Sequence, residues 1–132
     1  MRQPFQPGDV KEHQYIVKPE DLAAFGERMI HPVCSTFALG REMEWSSRQF
    51  VLEMIEPDEE GVGTFLEISH HSPAVEGEHL LIKATLIEVI DHAINCKIEI
   101  KVGNRLIATG KTGQKILKRT KIASLIDGLG NG

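Results

Sequence analysis

Three side chains in this sequence have the chemistry to act together on a carbonyl: the hydroxyl of Thr36, the carboxylate of Glu44 and the imidazole of His70. A hydroxyl and a carboxylate supply nucleophiles, and a carboxylate and an imidazole move protons. Each has a purely structural alternative. Thr36, or Ser35 before it, fits a helix N-cap. Glu44 fits a solvated helix position, and His70 a satisfied core histidine. Eight residues on one helix separate Thr36 from Glu44 by ~12 Å along the axis. They can cooperate only through a bend before the helix, through substrate, or across a subunit interface.

The surroundings sharpen two of the three. Glu44 stands between Met43 and Trp45 on a helix expected to be wrapped by a sheet. A carboxylate held against that apolar surface is expected to have a raised pKa, which suits acid/base work. His70 and His71 end the stretch GTFLEIS. Adjacent strand residues point to opposite faces, so the two cannot chelate one metal ion. Thr64, Leu66, Ile68 and His70 form the more apolar set, which puts His70 on the inward face. Cys34 is a rival nucleophile without a local motif, and a free Cys is usually a small buried hydrophobe. The run KTGQKILKRTK carries Lys111, Lys115, Lys118, Arg119 and Lys121 without an acid. It would suit an anionic ligand, or equally an edge strand guarded by lysine.

The elements that must position these residues follow from periodicity. Val10 to Val17 is a strand. Pro19-Glu20-Asp21 is expected to open a short helix over DLAAFGERMI, with the acids facing the positive end of its dipole. A long helix is expected from about Pro32 or Thr36 to Ile55, ending before Pro57. Four strands should follow as an antiparallel meander: Gly63 to Ser69, Glu78 to Asp91, Ala93 to Val102 and Arg105 to Leu117. In the third, Ile94, Cys96, Ile98, Ile100 and Val102 alternate with Asn95, Lys97, Glu99 and Lys101. Gly103-Asn104 supplies the tight turn after it. Residues 119–132 are expected to be a frayed tail. One long helix facing about five strands is an α+β arrangement, with the sheet wrapped around the helix.

Composition narrows the function classes. The 132 residues suit one domain, and 41% hydrophobic with 26% charged residues suits a packed core. A net charge of -4 argues against a generic nucleic-acid binder, which needs clustered Lys and Arg. Two cysteines make neither a metal motif nor a disulfide framework. The lack of a leader-like start or a long apolar run leads to the expectation of a cytoplasmic protein that does not enter the membrane.

The stretch TFALGREMEW followed by GVGTFLEISHHSPAVEG resembles the fluoroacetyl-CoA thioesterase family of hotdog-fold proteins. The pattern is a Thr, eight residues later the Glu of a Met-Glu-Trp triplet, then a Gly-Thr strand ending in His, with a small, proline-containing turn and Gly77 after it. The resemblance runs from about Val10 to Leu117. It implies a hotdog fold and hydrolysis of a short acyl-CoA thioester without metal or other cofactor. It also implies Thr36, Glu44 and His70 as the catalytic set, with Gly63, Thr64 and Phe37 contacting substrate. Family members are homodimers joined sheet edge to sheet edge, with sites near the interface; pairing of dimers into a tetramer stays open. The segment before the long helix is shorter than in the fluoroacetate enzyme and keeps Phe25 as its only aromatic, so fluoroacetyl selectivity is not carried over. A basic residue of the family falls on Gln114, so its role is not carried over either.

In the mechanism this suggests, amides at the start of the long helix bind the thioester carbonyl. Glu44 attacks or activates water, His70 handles protons, and Thr36 orients or attacks. Two rivals share the fold: a non-catalytic acyl-CoA sensor, and a hydratase, whose Asp/His signature is absent from the sequence.

Overall fold

The computed structural model describes residues 1–26 and 28–130. Strand β1 (Val10–Ile16) leads through a 3-10 turn (Pro19–Asp21) into a hairpin of β2 (Leu22–Phe25) and β3 (Arg28–Cys34). Helix α1 (Thr36–Met54) follows, then β4 (Glu59–His70), β5 (His79–Ile90), β6 (Ala93–Val102), β7 (Arg105–Lys118) and helix α2 (Arg119–Gly130). The main sheet has the order β1-β5-β6-β7-β4, and every pairing is antiparallel.

Alternation places the core as expected. Leu80, Ile82, Ala84 and Leu86 of β5 and Ile94, Cys96, Ile98 and Ile100 of β6 are fully buried. They meet Leu39, Met43, Phe50 and Met54 of α1 in one cluster. Burying each large side chain contributes roughly 1.5–3 kcal/mol, so this face holds the helix in the sheet's concavity. The α+β arrangement and the sheet around one long helix are therefore both observed.

Three expectations need correction, and one open choice is settled. The short helix over DLAAFGERMI is the β2–β3 hairpin, with only Pro19–Asp21 helical. Gly26 has φ +64, the left-handed conformation that turns a chain back on itself and that a helix interior cannot use. Glu27, inside that stretch, lies outside the described residues. The meander is three strands, because β4 pairs with β7 and not with its successor β5. Residues 71–78 carry the chain across from one side of the sheet to the other, and β1 occupies the edge beside β5. Of the two expected starts, Pro32 and Thr36, the helix takes Thr36, with Ser35 as its cap, the Ala38 amide donating to Ser35 Oγ at 3.0 Å. The frayed tail is helix α2: Ile122, Leu125, Ile126 and Leu129 recur at helical spacing, yet none of its residues is buried. Residues 131–132 of that tail lie outside the described residues.

Candidate active site

Helix α1 runs antiparallel to the edge strand β4, and this pairing organises the site. At one end Thr36 Oγ1 lies 2.8 Å from His70 Nε2. One turn on, a Cβ at Gly40 would come within 2.9 Å of Leu66 Cδ2, so glycine permits the close approach. Further along, Arg48 donates to Glu60 at 2.9 Å, and Val51 lies against Gly61. Leu66, Ile68 and His70 pair with Thr112, Gly110 and Ala108, the inward residues of β7. His70 therefore shares the helix-facing side of β4 with Leu66 and Ile68, as the alternation predicts.

Thr36 is the first helical residue, so no bend before the helix brings it toward Glu44. The two side chains line one groove of about 350 Å³ with Phe37, Gly40, Arg41 and Leu66 between and beside them. Glu44 also opens onto a neighbouring groove with Trp45, Arg48, Gly63 and Gln114. Glu44 itself is exposed, so the expected burial against an apolar surface is not found. The helix buries Glu42 in its place. Glu42 accepts from Arg41 Nε at 2.9 Å and lies 3.0 Å from His13 Nε2.

Asp21, 2% exposed, is the other buried carboxylate near the site. It accepts from the Tyr15 hydroxyl at 2.6 Å, the Lys18 amide at 2.9 Å and Arg41 at 3.1 Å. Burial alone would push its carboxyl up, but these hydrogen bonds outweigh it and hold the group below its ordinary value. Burial, with the Asp21 carboxylate beside it, pushes the Tyr15 hydroxyl up to about 12. The hydrogen bond to Glu42, aided by Asp21, raises Arg41 further above its already high value. The Asp21 carbonyl also accepts from the Ser35 amide at 2.8 Å, which ties this network to the residue before Thr36. The periodicity gave no sign of Asp21 or Glu42, because their burial depends on the hairpin and β1 closing over the start of α1.

The helix N-terminus has free donors. Ser35 engages the amides of Ala38 and Leu39. Those of Thr36 and Phe37 have no acceptor among the described residues. They form the positive end of the helix dipole, where an anion or a polarised carbonyl oxygen is stabilised.

The remaining sequence candidates separate clearly. Phe37 is 81% exposed beside Thr36, and Gly63 lines the groove beside Glu44. Thr64 sits at the β4 irregularity opposite Gly113 and lines neither groove. Cys34 is 5% exposed, and burial, with Asp21 adding to it, pushes its thiol up to about 11, so the nucleophilic thiolate is disfavoured. Lys111 and Lys115 alternate with buried Thr112, Gln114 and Ile116 and so point to the outer face of the sheet, away from Thr36. Gln114 donates to Ser47 Oγ at 2.8 Å and braces the helix. Arg41 and Arg48 are the cations on the helix-side grooves. No group of three or more His, Cys, Asp or Glu is placed to hold a metal ion among the described residues.

The family model for fluoroacetyl-CoA-specific thioesterases matches residues 17–120. The chain belongs to that family. Its fold is the hotdog fold of solved thioesterase-superfamily proteins. A hypothetical protein of Thermus thermophilus, described as a thioesterase superfamily member, is 27% identical, with a TM-score of 0.93 over 98% of this chain and 96% of that one. The fluoroacetyl-CoA thioesterase FlK is 19% identical, with a TM-score of 0.82 over 95% and 97%. A hot-dog-like protein from Thermanaerovibrio acidaminovorans is 16% identical, with a TM-score of 0.85 over 92% and 90%. No curated protein matches the chain significantly. Among the described residues of this thioesterase-family chain, no helix is long and apolar enough to cross a membrane.

Proposed function

We propose that the protein hydrolyses a short acyl-CoA thioester to the free acid and coenzyme A, with Thr36, Glu44 and His70 as its catalytic residues. The observation that carries this reading is the 2.8 Å contact between Thr36 and His70 at a helix N-terminus with two free amides. Family membership supports the thioester chemistry, and a variant of FlK has been solved in complex with acetyl-CoA.

In this reading the carbonyl oxygen sits against the Thr36 and Phe37 amides, which stabilise the charge that develops on it. Thr36 and His70 form the proton-handling pair, and His70 protonates the departing coenzyme A sulfur. Glu44 either takes a proton from a water that adds to the carbonyl carbon, or adds to that carbon itself to give a mixed anhydride that water then hydrolyses. In both courses the C–S bond breaks, the sulfur leaves as the thiol, and the acid leaves with an oxygen from water. No cofactor takes part.

The protein acts as a homodimer in this reading. Among the described residues, strand β4 has β7 on one side and a free edge on the other. Phe65, at 45% exposure, and Leu66, at 38%, lie along it. A long apolar free edge is a template for pairing with another strand. Antiparallel pairing of two β4 strands about a two-fold axis near Leu66 sets the His70 end of one strand against the Gly63 end of the other. Thr36 stands beside His70, and Glu44 shares a groove with Gly63. The two-fold thus brings Thr36 and His70 of one subunit toward Glu44 of the partner subunit, which answers the ~12 Å separation within one helix.

Thiol release from acetyl-, propionyl- and longer acyl-CoA tests the activity. Saturable, time-dependent release is expected. Binding of acyl-CoA without any release would favour the sensor reading instead.

A further inference from the structure

Two cavities meet beside the Thr36–His70 pair. The first, of about 390 Å³, is walled by Ala23, Val33, Cys34, Leu39, Pro73 and Ala74, with Thr36 and His70 opening onto it. The second, of about 520 Å³, lies along the β2–β3 hairpin by Leu22, Phe25, Ile30 and Phe37. Ala23 and His31 are cross-strand partners and line both. The hairpin ladder slips on either side of Ala23. Ala23 offers only a methyl group to both cavities, so a larger side chain there would narrow them.

The lining residues distinguish the two directions away from Thr36. On one side the groove runs past Arg41 to Glu44 and Arg48. Both arginines are already paired, Arg41 with Asp21 and Glu42 and Arg48 with Glu60, but their remaining N–H donors on this open surface suit the phosphates of coenzyme A. On the other side, alanine, valine, leucine and proline form the apolar wall, His31, His71, Ser35 and Ser72 edge it, and no lysine or arginine among the described residues lines it, which favours an uncharged chain.

We infer that the cavity beneath the hairpin holds an apolar acyl group several methylenes longer than acetyl, and that Ala23 and His31 set its length limit. This rests on the thioesterase reading above. A two-carbon acyl group leaves most of the apolar wall without contact and forgoes the dispersion and burial that a longer chain gains. Each methylene buried there raises kcat/KM by roughly fourfold. The span from acetyl to hexanoyl is then on the order of a hundredfold.

The experiment is a chain-length series, acetyl- to octanoyl-CoA, followed by thiol release on the full chain and on Ala23→Phe. The wild-type profile is expected to climb from acetyl to hexanoyl. In Ala23→Phe, the ratio of kcat/KM on hexanoyl-CoA to that on acetyl-CoA is expected to fall at least about tenfold. A wild-type optimum at acetyl-CoA, or a flat profile, overturns the inference while leaving the thioesterase reading intact. So does a folded Ala23→Phe, verified by its thermal melt, whose ratio matches wild type. Should Ala23→Phe fail to fold, the wild-type profile alone decides. Absence of release from every acyl-CoA overturns the thioesterase reading itself, and the inference with it.

Discussion

Thr36 Oγ1 and His70 Nε2 are 2.8 Å apart although 34 positions separate them in the chain. The contact exists because the first turn of α1 and the last residue of β4 are brought together by an antiparallel helix–strand packing. Both side chains are accessible to solvent and to a ligand. In the proposed mechanism this pair, beside free helix amides, exchanges protons with the bound thioester.

Removing the imidazole should therefore cost turnover more than binding. His70→Ala is expected to lower kcat by about 10²–10⁴-fold with little change in KM, measured as thiol release under steady state. Thr36→Ala should also lose activity, while Thr36→Ser keeps the hydroxyl and a substantial part of the rate. Near-wild-type kcat in both His70→Ala and Thr36→Ala would remove the pair from the mechanism.

Glu44 tests the two-subunit arrangement. Thr36→Ala and Glu44→Ala are each expected to be inactive alone. Unfolding and refolding the two together should restore part of the activity, because a mixed dimer contains one site with neither substitution. No recovery, with mixed dimers verified by mass, would mean that Glu44 serves its own chain's Thr36.

The Asp21 carboxylate makes a signed prediction about acid stability. Its hydrogen bonds from Tyr15, Lys18 and Arg41 hold it below its ordinary value despite burial. The stability it contributes is present above the unfolded value of about 3.9 and is lost as pH falls through the lower folded value. Glu60, bonded by the Gly61 amide and Arg48, and Glu78, bonded by the Val75 amide and Arg105, are held low in the same way. Asp21→Asn is expected to cost about 1–3 kcal/mol at pH 7 and to flatten, without abolishing, the loss of stability on acidification. Urea unfolding between pH 7 and pH 3 measures both. An unchanged pH slope would show that Asp21 contributes nothing to it.

Packing of β4 on the sheet depends on Gly110. A Cβ there would lie 2.2 Å from the Glu67 carbonyl oxygen and 3.0 Å from Met43 Sδ. Backbone cannot yield as a side-chain tip can, so Gly110→Ala should destabilise by about 1–3 kcal/mol. Gly128→Ala in α2 has open space around its Cβ and should be neutral or stabilising by up to about 1 kcal/mol. Thermal melts of the two variants compare them directly, and equal melting temperatures would refute the packing argument.

Local pattern in the sequence already determined a good deal of this. The period-2 alternation of β5 and β6 named the residues that fill the core, since each strand has one face buried and one wet. The proline after Ile55 and the Gly103-Asn104 turn marked where elements stop. The spacing of Thr36, Glu44 and His70 drew attention to the N-terminal end of α1 and to the inward face of β4, where Thr36 and His70 meet.

Tertiary structure decided the rest. Only packing shows that β4 leaves its neighbour β5 to pair with β7, because strand order depends on which edge the crossing segment reaches and not on local periodicity. The hairpin at Leu22–Cys34 was unreadable for a related reason. DLAAFGERMI is weakly amphipathic as a helix, and the left-handed Gly26 and the pairing of β2 with β3 select strands. The buried carboxylates Asp21 and Glu42 exist only through Tyr15, Arg41 and His13, which arrive from other elements. The ~12 Å between Thr36 and Glu44 follows from helical rise alone, whereas the free β4 edge beside them belongs to the folded sheet.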